Sequence, residues 1–393
     1  MADARVERIE QYLFGKLLPL WMQHGIDPAG GSHERLLPDL TPKATGFKRL
    51  MVQCRQLYVF SNAYLIQKKD QYADIARHIF EFLIANYQDA HNGGWFFSMA
   101  PDASAVVDDR KDAYGHAFVF FSMAFYYRAF ADERALVLAR RTLDTINARM
   151  TLAPAGFAEA TRADWAPLPA IRRQNPHMHL LEGFILMHEV SGDVAFADAA
   201  DRIMGMLHNI FFDPATGTLG EYFTDDWQVH PEAGQITEAG HHFEWYWLIQ
   251  RYRKAQGLQG VDSIEERLYA WAWQHGIDTQ YYGIYNEVSK AGEVITDSKR
   301  IWPVTECIKA CSVRYELGGD PQDLARLEKM IDYLFATYLD EVDGRWHEFV
   351  ERDGTPIGDE LPGSTGYHIF LGLSEALRVL VAHQGGSPPQ RSS

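Results

Sequence analysis

Six glycine turns with aromatic neighbours recur along this chain at a nearly constant interval. Gly31, Gly94, Gly156, Gly217, Gly283 and Gly344 follow one another every 61 to 66 residues, in contexts such as "GGWFF", "AGFAEA", "GTLGEYF", "YGIYNEV" and "DGRWHEF". An internal period of this length constrains the fold more than any composition figure, because each unit must bury its apolar face against its neighbours. The pentapeptide QHGID keeps the same rhythm. It stands at Gln23–Asp27 and again at Gln274–Asp278, just ahead of the first and fifth glycines.

Each glycine is preceded by an amphipathic helical pattern. Ile75, Ile79, Phe82, Leu83 and Tyr87 recur at helical spacing in 75–87, as do Phe196, Ala200, Ile203, Leu207 and Phe211 in 196–211. Segments around Leu17, Leu143, Leu268 and Ile331 fit the same slot, with Asp193, Asp262 and Asp320 expected as N-caps. Each glycine is followed by a helix apolar on all sides, as in "HAFVFFSMAFYYRAF" and "HHFEWYWLIQRY", and such a helix is buried on all sides. Six such pairs predict an all-α fold, an (α/α)6 barrel of six inner and six outer helices. A ring is preferred to an open solenoid because the sixth unit ends on a full buried helix, 364–382, and carries no polar cap. One domain is expected over 1–384, with "GGSPPQRSS" at 385–393 as a loose tail. Gly25 and Gly276, inside QHGID, are expected at left-handed C-terminal caps.

With 47% hydrophobic and 13% aromatic residues the chain can fill such a core. A net charge of -16 opposes binding to phosphate backbones, so nucleic acid is not an expected partner. The longest greasy run, "AFVFFSMAFYY", is too short to span a bilayer, and the N-terminus lacks the apolar core of a signal peptide. Cys54, Cys307 and Cys311 form an odd set without metal-ligand spacing, which suits a reducing compartment. A cytoplasmic location is expected, and a homo-oligomer stays open.

Residues at equal offsets in the units should lie at equal heights in the ring. At 22 to 24 residues after the glycines stand Arg55, His116, His179, His241, Glu306 and His368, an ionisable side chain in every unit. Tyr58, Trp95, Tyr114, Trp247, Trp302, Trp346 and Tyr367 are expected around them. Polar groups converging between aromatic walls suit a sugar, whose hydroxyls take hydrogen bonds and whose C–H face packs on rings. Arg55 is the one permanent cation of the set, with Arg172 and Arg173 nearby in sequence, which favours a neutral sugar over a sugar phosphate. His179 with Glu182, and His241 with Glu244, read His-x-x-Glu, so on a helix each carboxylate can hold its imidazole. His177 and His242 read as structural neighbours. A metal is not expected, because the set is rich in imidazoles and poor in carboxylates.

At "QCRQLYVFS", "RRQNPHMHLLE", "GHHFEWYWLI", "WPVTE" and "GYHIF" the chain resembles the N-acylglucosamine 2-epimerase superfamily over nearly its whole length, and at "DAYGHAFVFF" and "DELPGSTGYH" it is most similar to the metal-free mannose isomerases. The resemblance implies an (α/α)6 barrel that interconverts free aldoses and ketoses, or C2 epimers, through a cis-enediolate without a cofactor. It implies His241 and His368 as the acid/base pair, Glu244 as support for His241, and Arg55, Asn175, His179, Glu182 and Glu306 as ligands of the sugar oxygens. His116 and Trp302 are expected to line the site. The rate should then fall as pH drops through roughly 6, where a free histidine becomes protonated. The similarity implies an isomerase of D-mannose, or a related free aldose such as lyxose, and D-fructose; a 2-epimerase acting on mannose, cellobiose or an N-acylglucosamine is the nearest alternative, and an inverting glycoside hydrolase using Glu244 and Glu306 or a sugar-binding protein without turnover are more distant ones.

Overall fold

The computed structural model describes residues 2–258 and 263–384. Within them outer and inner helices alternate along the chain. The outer helices are Ala2–Tyr12, which continues through Leu13–Leu17, Leu18–Leu20 and Trp21–Gly25, then Asp70–Asn86, Glu133–Arg149, Val194–Met206 with Leu207–Phe211, Ser263–Trp271 with Ala272–Gly276, and Pro321–Thr337. The inner helices are Leu50–Gln67, Ala113–Phe130, Asn175–Ser191, Ala239–Ala255, Ile301–Gly318 and Thr365–Gln384. Asp193 and Asp320 cap their helices as expected, accepting from Ala195 N at 3.0 Å and Gln322 N at 2.8 Å. Asp262 and the tail 385–393 lie outside the described residues.

Successive inner helices pack side by side, and the sixth packs on the first, so the barrel is an (α/α)6 ring. A short strand ahead of each inner helix pairs with a strand after the next unit's glycine: Lys48–Arg49 with Ser98–Met99, Lys111–Asp112 with Ala160–Thr161, Arg172–Arg173 with Tyr222–Phe223, and so on round. The last such strand, Leu361–Pro362, pairs antiparallel with Arg35–Leu36 of the first unit. The same seam is held on the outside by Arg5 on Asp332 and Arg8 on Glu341. These strands of two or three residues were not foreseen, because they are too short to show a period of two.

All six unit glycines have φ between 69° and 84°, a region closed to most L-residues, which is why the period is written in glycine. QHGID has a different cause. Asp27 and Asp278 open the turn: one carboxylate oxygen accepts from Ala29 N or Gln280 N, and the other takes the buried Lys48 at 2.7 Å or Lys299 at 3.0 Å. Asp89 and Lys111 make the same clamp at 2.8 Å in the second unit. Each lysine stands just ahead of its inner helix, so the clamp fixes where that helix starts. The expected left-handed caps at Gly25 and Gly276 are absent. Both lie outside the positive-φ set, and a Cβ would come within 2.3 Å of the Trp21 ring or 2.2 Å of Ala239 Cβ, so close approach is what demands glycine there.

A second repeated device ties each of the first four inner helices to a turn. Trp95 N–H donates to His116 Nε2 at 3.2 Å, Phe157 N–H to His177 Nε2 at 2.9 Å, and Leu219 N–H to His242 Nε2 at 3.2 Å. Each Nδ1 in turn lies 2.7 to 3.0 Å from the carbonyl four residues back. In the first unit Gln53 does this work, accepting from Ser32 N at 2.7 Å and donating to Ser32 O at 2.8 Å. The three imidazoles are fully buried, and that burial pushes each down to about 4.

Candidate functional site

Two residues beyond each of these staples comes a side chain that joins a cluster at the top of the barrel: Arg55, Phe118, His179 and Glu244, completed by Glu306 and His368 from the fifth and sixth inner helices. The Arg55 guanidinium lies 4.3 Å over the Phe118 ring and 4.9 Å over Tyr367, and donates to Tyr114 Oη at 2.7 Å and to Ser364 O at 3.2 Å. His179 packs at 4.9 Å on Tyr114 and 5.0 Å on Phe118, with Nδ1 3.5 Å from Glu182 and 3.8 Å from Glu244. Tyr367 Oη donates to Glu182 at 3.1 Å. The Trp302 ring stands between two imidazoles, 4.8 Å from His241 and 6.3 Å from His368. The Asn175 side-chain amide lies 3.2 Å from His241 Nε2. Asn175 and Tyr114 also line a cavity of about 650 Å³ with Arg49, Arg110, Arg173 and Tyr222 at its rim.

Of the residues singled out from the sequence, the structure therefore brings together Arg55, Asn175, His179, Glu182, His241, Glu244, Trp302, Glu306 and His368. It does not bring His116 among them. Both of its ring nitrogens are committed to backbone, and Phe118 takes the place in the cluster. Trp95 and Trp346 also belong elsewhere: Trp95 donates to Thr142 at 2.9 Å and Trp346 packs on Trp21, both on the outer-helix side.

The carboxylate expected to support His241 is corrected. Glu244 makes no hydrogen bond to it; instead His241 Nδ1 lies 3.0 Å from both oxygens of Glu221, on the loop after the fourth glycine. Sequence reasoning missed Glu221, yet a signal existed. Glu34, Glu159, Glu221 and Glu348 all follow their glycines by three or four residues, and each reaches the start of its own unit's inner helix. Glu34 accepts from Arg49 N, Glu159 from Arg173 N and Glu221 from Glu238 N, while Glu348 accepts from Thr365 Oγ1.

The two imidazoles beside Trp302 are driven in opposite directions. Burial alone lowers His241, but Glu221 and then Glu238 outweigh it and raise the group to about 10, so it is an imidazolium at neutral pH. Burial pushes His368 down to about 3 against the opposing pull of the Glu306 hydrogen bond, with Arg55 adding to the fall, so it is neutral. His368 Nδ1 is 3.3 Å from Glu306 Oε1, which leaves Nε2 as the free lone pair. Glu244 is raised well above the usual carboxylate range by burial and by Glu306, which favours its acid form, and its Oε1 has no hydrogen-bond partner. A proton donor, a proton acceptor and an open acid group thus face one polar, aromatic-walled space.

Two groups hold metal-ligating atoms within 4.8 Å of one another, His179 with Glu182 and Glu244, and Glu221 with Glu238 and His241. In the second the imidazole is already taken by Glu221. Among the described residues no helix is long and apolar enough to cross a membrane.

The family model for N-acylglucosamine 2-epimerase (GlcNAc 2-epimerase) matches residues 30–372. The chain is 29% identical over 371 residues to a mannose-6-phosphate isomerase of Rhizobium meliloti, covering 91% of this chain and 93% of that one. It is 26% identical over 365 residues to a D-mannose isomerase of Thermobifida fusca, covering 86% of each. The solved cellobiose 2-epimerase from Spirochaeta thermophila superposes with a TM-score of 0.87 at 25% identity, over 97% of this chain and 98% of that one.

Proposed function

The chain belongs to the N-acylglucosamine 2-epimerase family, and from that premise we propose that it interconverts D-mannose, or a related free aldose such as lyxose, with the corresponding ketose, fructose for mannose. The observation that carries the reading is the pair of imidazoles flanking Trp302, His241 buried and His368 slightly exposed, which their surroundings drive in opposite directions. His368 Nε2 takes the proton from C2 of the opened sugar while His241 gives one to O1, forming the enediol. His368 then returns its proton to C1 as O2 loses its own to His241, and the ketose is complete. The Arg55 guanidinium, the protonated Glu244 and the Asn175 amide bind the sugar oxygens and stabilise charge on the enediolate.

A neutral sugar is favoured because Arg55 is the one guanidinium of the cluster and Lys309 is already paired with Glu306 at 2.6 Å. The preference for mannose draws on the similarity to D-mannose isomerases and on "DELPGSTGYH", whose Ser364 carbonyl holds Arg55 in place. The test is incubation with free mannose, lyxose, glucose, cellobiose and N-acetylglucosamine in deuterated water, with products separated by chromatography. Fructose from mannose, labelled at C1, is the expected result. Glucose formed as fast as fructose, with deuterium at C2, assigns a 2-epimerase instead. Release of reducing sugar from an oligosaccharide assigns a hydrolase.

A further inference from the structure

One helical turn below the cluster, the inner helices contribute Tyr58, Phe121, Glu182, Trp247 and Lys309, an aromatic floor that also holds a carboxyl and an amine. Lys309 has no solvent exposure, and its Nζ lies 2.6 Å from Glu306 Oε2 and 4.0 Å over the Trp247 ring. A lysine is rarely buried so completely without a partner that needs it. Its partner is the carboxylate that also holds His368, so Lys309, Glu306 and His368 form one line from the floor to the sugar space.

Two carboxylates of the cluster stand just above this floor, Glu244 and Glu306, and they are not equivalent. Among the described residues no lysine or arginine lies within ion-pair distance of Glu244, and burial with Glu306 raises it well above the usual carboxylate range against the weaker pull of Lys309. Glu306 is buried as deeply, yet stays well below the usual carboxylate range, and Lys309 is the largest of the forces that oppose its burial. The protonation of Glu306 matters to His368 because an ionised carboxylate can only accept. It then takes Nδ1–H and leaves Nε2 bare, whereas a carboxylic acid can donate to Nδ1 and move the imidazole hydrogen to Nε2, where it blocks the base.

We propose that Lys309 is a positioning residue: its ammonium keeps Glu306 ionised, and Glu306 in turn locks His368 in the Nδ1–H tautomer that presents Nε2 to C2 of the sugar. Lys309 touches no substrate. It acts through Glu306, as the buried carboxylate of a Ser-His-Asp triad acts through its histidine, where the wrong tautomer lowers kcat by about 10⁴. The inference rests on the isomerase reading for its kinetic consequence but not for its structural one.

The experiment is ¹⁵N NMR of histidine-labelled protein together with steady-state kinetics on mannose. In the unaltered protein His368 should show the Nδ1–H tautomer; finding Nε2–H there overturns the proposal before any variant is made. In Lys309→Met the signal should move to Nε2–H, and kcat should fall about a hundredfold or more with KM changed less than about threefold. Lys309→Gln serves the same reading if the Met variant does not fold. Lys309→Arg, which keeps the charge, should keep the Nδ1–H tautomer. A lowered Tm with an unmoved tautomer and near-normal kcat makes Lys309 a structural cation only and overturns the proposal. A moved tautomer in a protein that turns over none of the sugars leaves the lysine's role standing and removes the isomerase reading.

Discussion

Replacing His177 with Gln should make the protein less sensitive to acid, although the substitution removes a well-buried and well-bonded side chain. His177, His116 and His242 each accept from a turn N–H through Nε2, and that bond exists only in the neutral ring. Each is depressed by burial from 6.5 to about 4. A depressed folded value gives stability that is complete above 6.5 and lost as pH falls toward 4, because the unfolded chain gains the proton first. At about 1.4 kcal/mol per pH unit, each imidazole costs the fold about 3 kcal/mol across that window, and solvent screening takes nothing from groups this deeply buried. The three together cost about 10 kcal/mol, comparable with the whole stability of an ordinary domain. Gln is the natural replacement, since Gln53 already fills the same slot in the first unit. The assay is urea unfolding of both proteins by tryptophan fluorescence at several pH values between 7 and 4.2. The variant should lose about 3 kcal/mol less stability across the window than the parent. Parallel curves would show that these histidines do not control acid stability, and the reasoning from their burial would fail.

His241→Ala and His368→Ala are each expected to lower turnover by about two to four orders of magnitude with the helical signature intact, and near-normal activity in either takes that residue out of the mechanism. The rate at saturating mannose should hold as pH falls through 6, unlike that of a free histidine base, because burial keeps His368 neutral down to about 3. Glu221→Gln should bring the alkaline limb of the profile down toward neutrality: Glu221 raises His241, so without it the imidazolium loses its proton at lower pH. An alkaline limb that stays in place excludes His241 as the acid. Exhaustive chelation with EDTA should leave mannose turnover unchanged, and loss restored by a divalent ion would assign the His179, Glu182 and Glu244 group to a metal.

The ring was legible because its punctuation is local. A positive φ at six evenly spaced turns favours glycine, at five of them a Cβ would also come within 3.0 Å of a neighbouring atom, and an inner helix must be apolar all round. Register within the helices was less legible. His116 counted as equivalent to His179 and His241, yet it lies two residues short of Phe118, and two residues turn a helix by about 200°, enough to exchange the axis for the outer wall. Glu221 was missed for a different reason. It reaches His241 from a loop 20 residues away, and no helical spacing connects them. The protonation states were out of reach as well: His241 and His368 share an offset from their glycines, yet His368 fills the cluster position that Glu244 fills in the fourth inner helix, and the fold sets Glu221 beside the one and Glu306 beside the other.

The seam where Leu361–Pro362 meets Arg35–Leu36 is built like the other strand pairings of the ring, so this junction carries no structural privilege over the others. The first outer helix already packs on the last inner one, so a linker added between them need not cross the ring. A circular permutant opened at Lys68–Lys69, between the first inner and second outer helices, should then refold with all six cluster residues in place and retain mannose turnover. Loss of the fold in that permutant alone would mean that the first outer helix must be made first, and that assembly of the ring has a direction its symmetry does not display.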